Sequence, residues 1–164
     1  MDIHQLRVMH MLGKQLQIIL MTNLERMLQQ TIFYMTCGAA ASLTIVMNAI
    51  LQKDDECIVF TPYFPEYGVF IERTGAKLVE VKSQEKTFQI DMDNFEKAIN
   101  EKTKAVIINS PNNPSGVVYT VETIEKMCQL LKKKEEEYGH PIFLITDEPY
   151  RELVYDDTEV PSCY

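Results

Sequence analysis

Four short segments carry the residue types that do chemistry. Residues 36–43 read Thr-Cys-Gly-Ala-Ala-Ala-Ser-Leu, a glycine and small side chains that open a helix. Free backbone N–H groups at such a helix start, and its positive end, can hold a phosphate. Close helix–sheet packing asks for the same small residues, so the two readings stand even here. Residues 61–67 read Thr-Pro-Tyr-Phe-Pro-Glu-Tyr. Two prolines fix this loop, and Phe64 offers a ring on which a flat cofactor could stack, although a turn closed by core aromatics explains it more simply. Residues 109–116, Asn-Ser-Pro-Asn-Asn-Pro-Ser-Gly, place two prolines, three asparagines and a glycine in one short run. That composition suits a rigid turn, with a candidate cis proline, that presents a side-chain amide; a well-made surface turn has the same makeup. Residues 146–150 read Thr-Asp-Glu-Pro-Tyr. Asp147 ends an apolar strand, where a partly buried carboxylate needs a partner: a protonated pyridine nitrogen, an arginine or a helix N-terminus.

Helices and strands alternate around these segments. Residues 39–51 have helical periodicity, with Leu43, Val46, Met47 and Ile50 on one face. A short apolar run at 57–60, bounded by acidic residues and Pro62, predicts a buried strand. Further helices are predicted at 66–73, closed by Gly75, at 92–99, capped by Asp91, and at 121–138, capped by Thr120. The last has Glu122 early and lysines late, as the helix dipole prefers. Strands are predicted at 77–81, 105–108 and 142–146. This alternation implies an α/β fold, a mostly parallel sheet with helices on both faces. Ligands of such sheets bind beyond the carboxyl ends of the strands, where the last three segments fall.

The composition narrows the partners. A chain of 164 residues supports one domain with a real core, and a net charge of −8 argues against nucleic acid. No apolar run reaches the roughly 18 residues of a membrane span, and 18–21 is too short for a signal peptide core. Cys37, Cys57, Cys128 and Cys163 lack metal-site or disulfide-framework spacing and read as reduced cytoplasmic thiols; His4, His10 and His140 form no ligand pattern. Lys132–Lys134 followed by Glu135–Glu137 reads as a solvated helix face.

Taken together, in this order and spacing, the four segments resemble the fold-type I pyridoxal-phosphate-dependent aminotransferases, the class I/II enzymes of the aspartate aminotransferase type. The resemblance covers residues 34 to about 161, and the pairing of Asn-Ser-Pro-Asn-Asn-Pro-Ser-Gly with Asp-Glu-Pro-Tyr is its most specific part. It implies that 34–164 is part of the large domain of a transferase that binds pyridoxal 5′-phosphate. Gly38 would make the turn, and the Ala39 and Ala40 amides would take the phosphate. Phe64 would stack on the pyridine ring. Asn113 and Tyr150 would reach the 3′ oxygen, and Asp147 would pair with the protonated ring nitrogen. Thr61–Pro62 and Asn113–Pro114 would be cis. The implied activity moves an amino group between an amino acid and a 2-oxo acid, in a cytoplasmic homodimer with no metal. A pyridoxal-phosphate lyase of the same fold type, such as a carbon–sulfur lyase, shares these features, and a non-catalytic binding fragment is a third reading.

Two features depart from the family. Its cofactor-carrying lysine lies downstream of the aspartate, in a segment such as Ser-x-Ser-Lys; here no lysine follows Lys134 and the sequence ends at Tyr164. The downstream arginines and the small domain are missing too. We therefore expect a fragment with negligible transamination by this polypeptide alone, because no amine is present to move the α-proton. Uncovered sheet edges and apolar faces lead us to expect aggregation or loose packing in isolation. Residues 1–33 form an atypical N-terminal segment, rich in Met and Gln. Read one frame over from Lys14 to Phe33, codon choice permits AIADYFNDKFGTNVTADNI, which resembles what the family places before its phosphate turn. We expect a frame-shifted translation; a divergent amphipathic helix is the alternative.

Overall fold

In the computed structural model, residues 8–11, 36–153, 155–156 and 158–161 are described. Among the described residues five strands and four helices follow in the order β1 (Val8–Met11), α1 (Ala39–Ile50), β2 (Glu56–Thr61), α2 (Glu66–Glu72), β3 (Lys77–Lys82), α3 (Met92–Ala98), β4 (Thr103–Asn109), α4 (Val121–Tyr138) and β5 (Phe143–Asp147). The strands form one sheet in the order β1-β5-β4-β2-β3, and every pairing is parallel. The expected α/β class is therefore observed; β2, β3 and β4 run one to three residues longer than predicted, and β5 is shifted by one.

Alternation along the central strands divides the core into two. Ile58, Phe60, Val106, Ile108 and Leu144 face one side and pack with Phe95 of α3 and with Ile124, Met127 and Leu131 of α4. Cys57, Val59, Ala105, Ile107 and Ile145 face the other and pack with Leu43, Val46 and Met47 of α1 and with Tyr67 and Ile71 of α2. Because both faces are covered, β2, β4 and β5 are continuous apolar runs rather than alternating ones. The period of two then decides which strand-end side chains reach the site. Asn109 and Asp147 continue the odd-numbered series and emerge on the side of α1 and α2. They are also directly paired across the sheet.

The helix ends follow their sequence signals in most places. Asp91 accepts from the Asn94 N–H at 3.0 Å and Thr120 from the Thr123 N–H at 3.1 Å. Gly139, at φ 71°, ends α4 in the left-handed conformation. The expectation of a basic C-terminal turn in α4 is corrected: its last turn carries no basic residue, because the three lysines precede three glutamates. The solvated-face reading also needs amendment. Glu135 accepts from the Ile142 N–H at 2.7 Å, linking the end of α4 to the approach to β5.

Strand β1 was not anticipated. It lies within the 1–33 segment and pairs with β5, Val8 opposite Leu144 and Met11 opposite Asp147. The segment read as frame-shifted, 14–33, lies outside the described residues. Among the described residues no helix is long and apolar enough to cross a membrane.

Candidate functional site

The carboxyl ends of β4 and β5, the loop after β2 and the start of α1 meet around one cleft of about 210 Å³. Ala39, Ala40, Leu43, Phe64, Glu66, Asn109, Asn113, Asp147, Pro149 and Tyr150 line it. Of the seven residues singled out in the sequence, six therefore share one wall-to-wall space. The seventh, Gly38, sits just outside as the residue that caps α1.

Each group arrives by a local rule. Gly38 has φ 100° and ψ 170°, a conformation essentially reserved for glycine. It turns the chain into α1 and offers no side-chain cap, so the first-turn N–H groups, Ala39 and Ala40 among them, have no intrahelical acceptor. Thr36 fastens this entry: its hydroxyl donates to the Gly38 carbonyl at 3.0 Å and lies 2.5 Å from the Ser42 hydroxyl. Phe64 follows the cis Thr61–Pro62 bond and packs edge-on against Tyr67, with ring centroids 5.6 Å apart. In the 109–116 turn both Asn113–Pro114 and Ser110–Pro111 are cis; the second was not expected. Asn112 holds that turn with Oδ1, which accepts from the Ser115 hydroxyl at 2.7 Å and the Ser115 N–H at 3.1 Å.

The polar groups form a connected set. Asn109 donates its amide to the Asp147 carbonyl at 2.8 Å and accepts the Asn113 N–H at 2.6 Å. The Asn113 amide reaches the Tyr150 hydroxyl at 3.4 Å. Tyr67 donates its hydroxyl to Asp147 Oδ2 at 2.6 Å, and both residues are buried. Among the described residues, Asp147 Oδ1 is buried with no hydrogen-bond partner. Burial raises the Asp147 pKa above the usual carboxylate range, and the Tyr67 hydrogen bond offsets part of that rise. For Tyr67, burial first and the nearby Asp147 charge second push the phenol far above its ordinary value, so it stays a donor. Glu148, the next residue, pairs with Arg151 at 2.8 Å, which holds the turn after β5.

Two of these residues escaped the sequence reading. In the sequence Asn109 only opens a breaker segment, yet it ties Asp147 to Asn113. Its signal was the odd-numbered register that it shares with Ala105 and Ile107. Tyr67 stands in the sequence only as an aromatic flanking the two prolines. Its signal was the four-residue spacing to Ile71, which marks the buried face of α2 and obliges a buried phenol to find an acceptor.

The residues present suit a flat, phosphorylated ring with a protonated nitrogen. An unpartnered buried carboxylate oxygen accepts an N–H⁺, an uncapped helix start accepts phosphate oxygens, and Phe64 supplies a ring.

Comparison with known proteins gives the same direction. The sequence model of the family described as aminotransferase class I and II matches residues 18–163, starting inside the segment that the sequence sets apart. The chain is 36% identical, over 128 residues, to a probable aspartate/prephenate aminotransferase of Aquifex aeolicus, covering 77% of this chain and 31% of that protein. It is 37% identical to the aspartate aminotransferase of Bacillus subtilis, covering 72% of this chain and 29% of that one. An aminotransferase structure from Eubacterium rectale superposes with a TM-score of 0.77 at 56% identity, over 80% of this chain and 34% of that one. The chain thus spans about a third of the length of the relatives it matches.

Proposed function

The chain belongs to the aminotransferase class I and II family, and from that premise we propose that its cleft is the cofactor-binding part of a pyridoxal-phosphate site. The whole protein would transfer an amino group between an amino acid and a 2-oxo acid. The observation that carries this reading is the Asp147 Oδ1 atom, buried and unpartnered at a cleft that also receives the open end of α1.

Bound there, pyridoxal phosphate would supply an electron sink for the α-carbon of the substrate. Asp147 would hold the proton on the ring nitrogen through Oδ1. The Asn113 amide and the Tyr150 hydroxyl, already within 3.4 Å of each other, would share the 3′ oxygen. The Gly38 turn would present the Ala39 and Ala40 amides to the phosphate, whose charge suits a helix start. Phe64 would cover one ring face. Three free cysteines among the described residues, Cys37, Cys57 and Cys128, accord with a cytoplasmic setting. The family resemblance extends the proposal to a homodimer.

The test is titration of the chain with pyridoxine 5′-phosphate, which has the ring, the 3′ oxygen and the phosphate but no aldehyde. Saturable binding is expected, with pyridoxine bound far more weakly because it lacks the phosphate. Equal affinity for the two, or no binding of either by a folded chain, refutes the reading.

A further inference from the structure

Resting on the cofactor reading above, we propose that Tyr67 is a positioning residue that, through Asp147, sets which atom holds the proton shared by the carboxylate and a bound pyridine ring. The geometry separates the two oxygens of one carboxylate. Oδ2 accepts the Tyr67 hydroxyl at 2.6 Å, while Oδ1 has no partner. Tyr67 is not among the residues lining the cleft, so it acts only through Asp147. One filled oxygen fixes the rotation of the carboxylate and leaves a single acceptor free for a ligand.

The same bond decides basicity. A donor to the ionised form stabilises it, so Asp147 binds a proton less tightly with the tyrosine than without it. A less basic carboxylate leaves the shared proton on the ring nitrogen, and a more basic one takes it. The arrangement is directional, because Tyr67 has no alternative as a donor: its hydroxyl is buried and its ionisation is opposed by the charge of Asp147. Two further tyrosines face this pair, Tyr150 from the turn after β5 and Tyr119, itself pushed up to about 12 by burial. Tyr119 therefore stays protonated in the neutral range. Glu66 lines the same cleft from the start of α2 and is its other carboxylate. Asn109 meets the backbone of Asp147 without adding charge.

The test separates this claim from the cofactor reading. Carboxyl-¹³C labelling of aspartate gives the Asp147 titration in the ligand-free chain. Tyr67→Phe is expected to raise its proton affinity about tenfold, in keeping with a hydrogen bond to a charged group. Replacing Tyr67 by 3-fluorotyrosine, a stronger donor of nearly the same size, is expected to lower it. With ring-¹⁵N pyridoxine 5′-phosphate bound, the nitrogen should be protonated in the parent chain and shift toward the neutral form in Tyr67→Phe. An unchanged Asp147 titration in both variants overturns the proposal. So does an unchanged ring nitrogen where the ligand binds. Should Tyr67→Phe fail to fold, the fluorotyrosine chain decides alone. If the Asp147 titration moves as expected but the parent chain binds no pyridoxine 5′-phosphate, the cofactor reading and this extension of it both fail, whereas binding with an unmoved titration removes only the role of Tyr67.

Discussion

The side-chain amide of Asn109 donates to the backbone carbonyl of Asp147 at 2.8 Å, joining the ends of two adjacent parallel strands. Its other atom, Oδ1, accepts the N–H of Asn113 at 2.6 Å. One buried side chain therefore fixes both the strand that delivers the carboxylate and the turn that delivers the amide. Replacing Asn109 with Ala leaves the Asp147 carbonyl and the Asn113 N–H without these partners. We expect a loss of roughly 2–3 kcal/mol of stability, the usual cost of disrupting two hydrogen bonds at a buried position, together with weaker binding of pyridoxine 5′-phosphate. Urea denaturation and ligand titration of the same variant measure the two effects.

Gly38 gives a prediction in which space plays no part. A Cβ at this position meets nothing within 4 Å, so a methyl group fits. The backbone is the obstacle, since φ 100° with ψ 170° is a region that side-chain-bearing residues avoid. Gly38→Ala should therefore cost about 1–3 kcal/mol or rotate the entry to α1. In either case the Ala39 and Ala40 amides lose their aim. Phosphate-bearing ligands should weaken, whereas affinity for pyridoxine, which has no phosphate, should change little. Comparison of the two ligands on this variant isolates the phosphate contribution.

Much of this was legible in the residues. The alternation of helix and strand signals gave the α/β class, and breaker-rich segments at strand ends marked the three loops that meet at the cleft. The caps at Asp91 and Thr120 were readable because a cap is a local event, complete within four residues. Non-local pairings were not. Nothing in the run 61–67 says that Tyr67 ends 2.6 Å from a carboxylate eighty positions away. That distance follows from packing α2 on the odd-numbered side of β5. Strand β1 was illegible for a related reason: its partner is β5, far along the chain. The basic end expected for α4 failed because Glu135–Glu137, and not the lysines before them, occupy its last turn.

Asp147 should trade stability for readiness to bind. Burial raises its pKa in the folded chain, so the folded form holds this proton more tightly than the unfolded form. Its contribution to stability is then fully present in acid, below the ordinary carboxylate range, and is lost as pH rises through the raised folded value. Asp147→Asn cannot ionise and escapes that loss. The variant is expected to gain on the parent as pH rises, by on the order of 1 kcal/mol at neutral pH, and to show little advantage in acid. Denaturation curves from about pH 3 to about pH 8 measure this difference. A constant difference across that range would mean that the carboxyl is not raised. The same variant should lose most of its affinity for pyridoxine 5′-phosphate.

Catalysis by a polypeptide of this sequence is expected to be negligible, and the reason is positional. Among the described residues no lysine lines the cleft, and none follows Lys134. Lys134 itself belongs to α4, which packs on the opposite face of the sheet from Tyr67 and α1. There its ammonium group is 2.8 Å from Glu137 and lies 5.4 Å from the centre of the Tyr138 ring. An amine held behind the sheet cannot serve as a base at Asp147. Supplied with pyridoxal phosphate, an amino acid and a 2-oxo acid, the polypeptide should give no turnover beyond that of the free cofactor. Turnover well above that background would show that another group in these residues moves the proton.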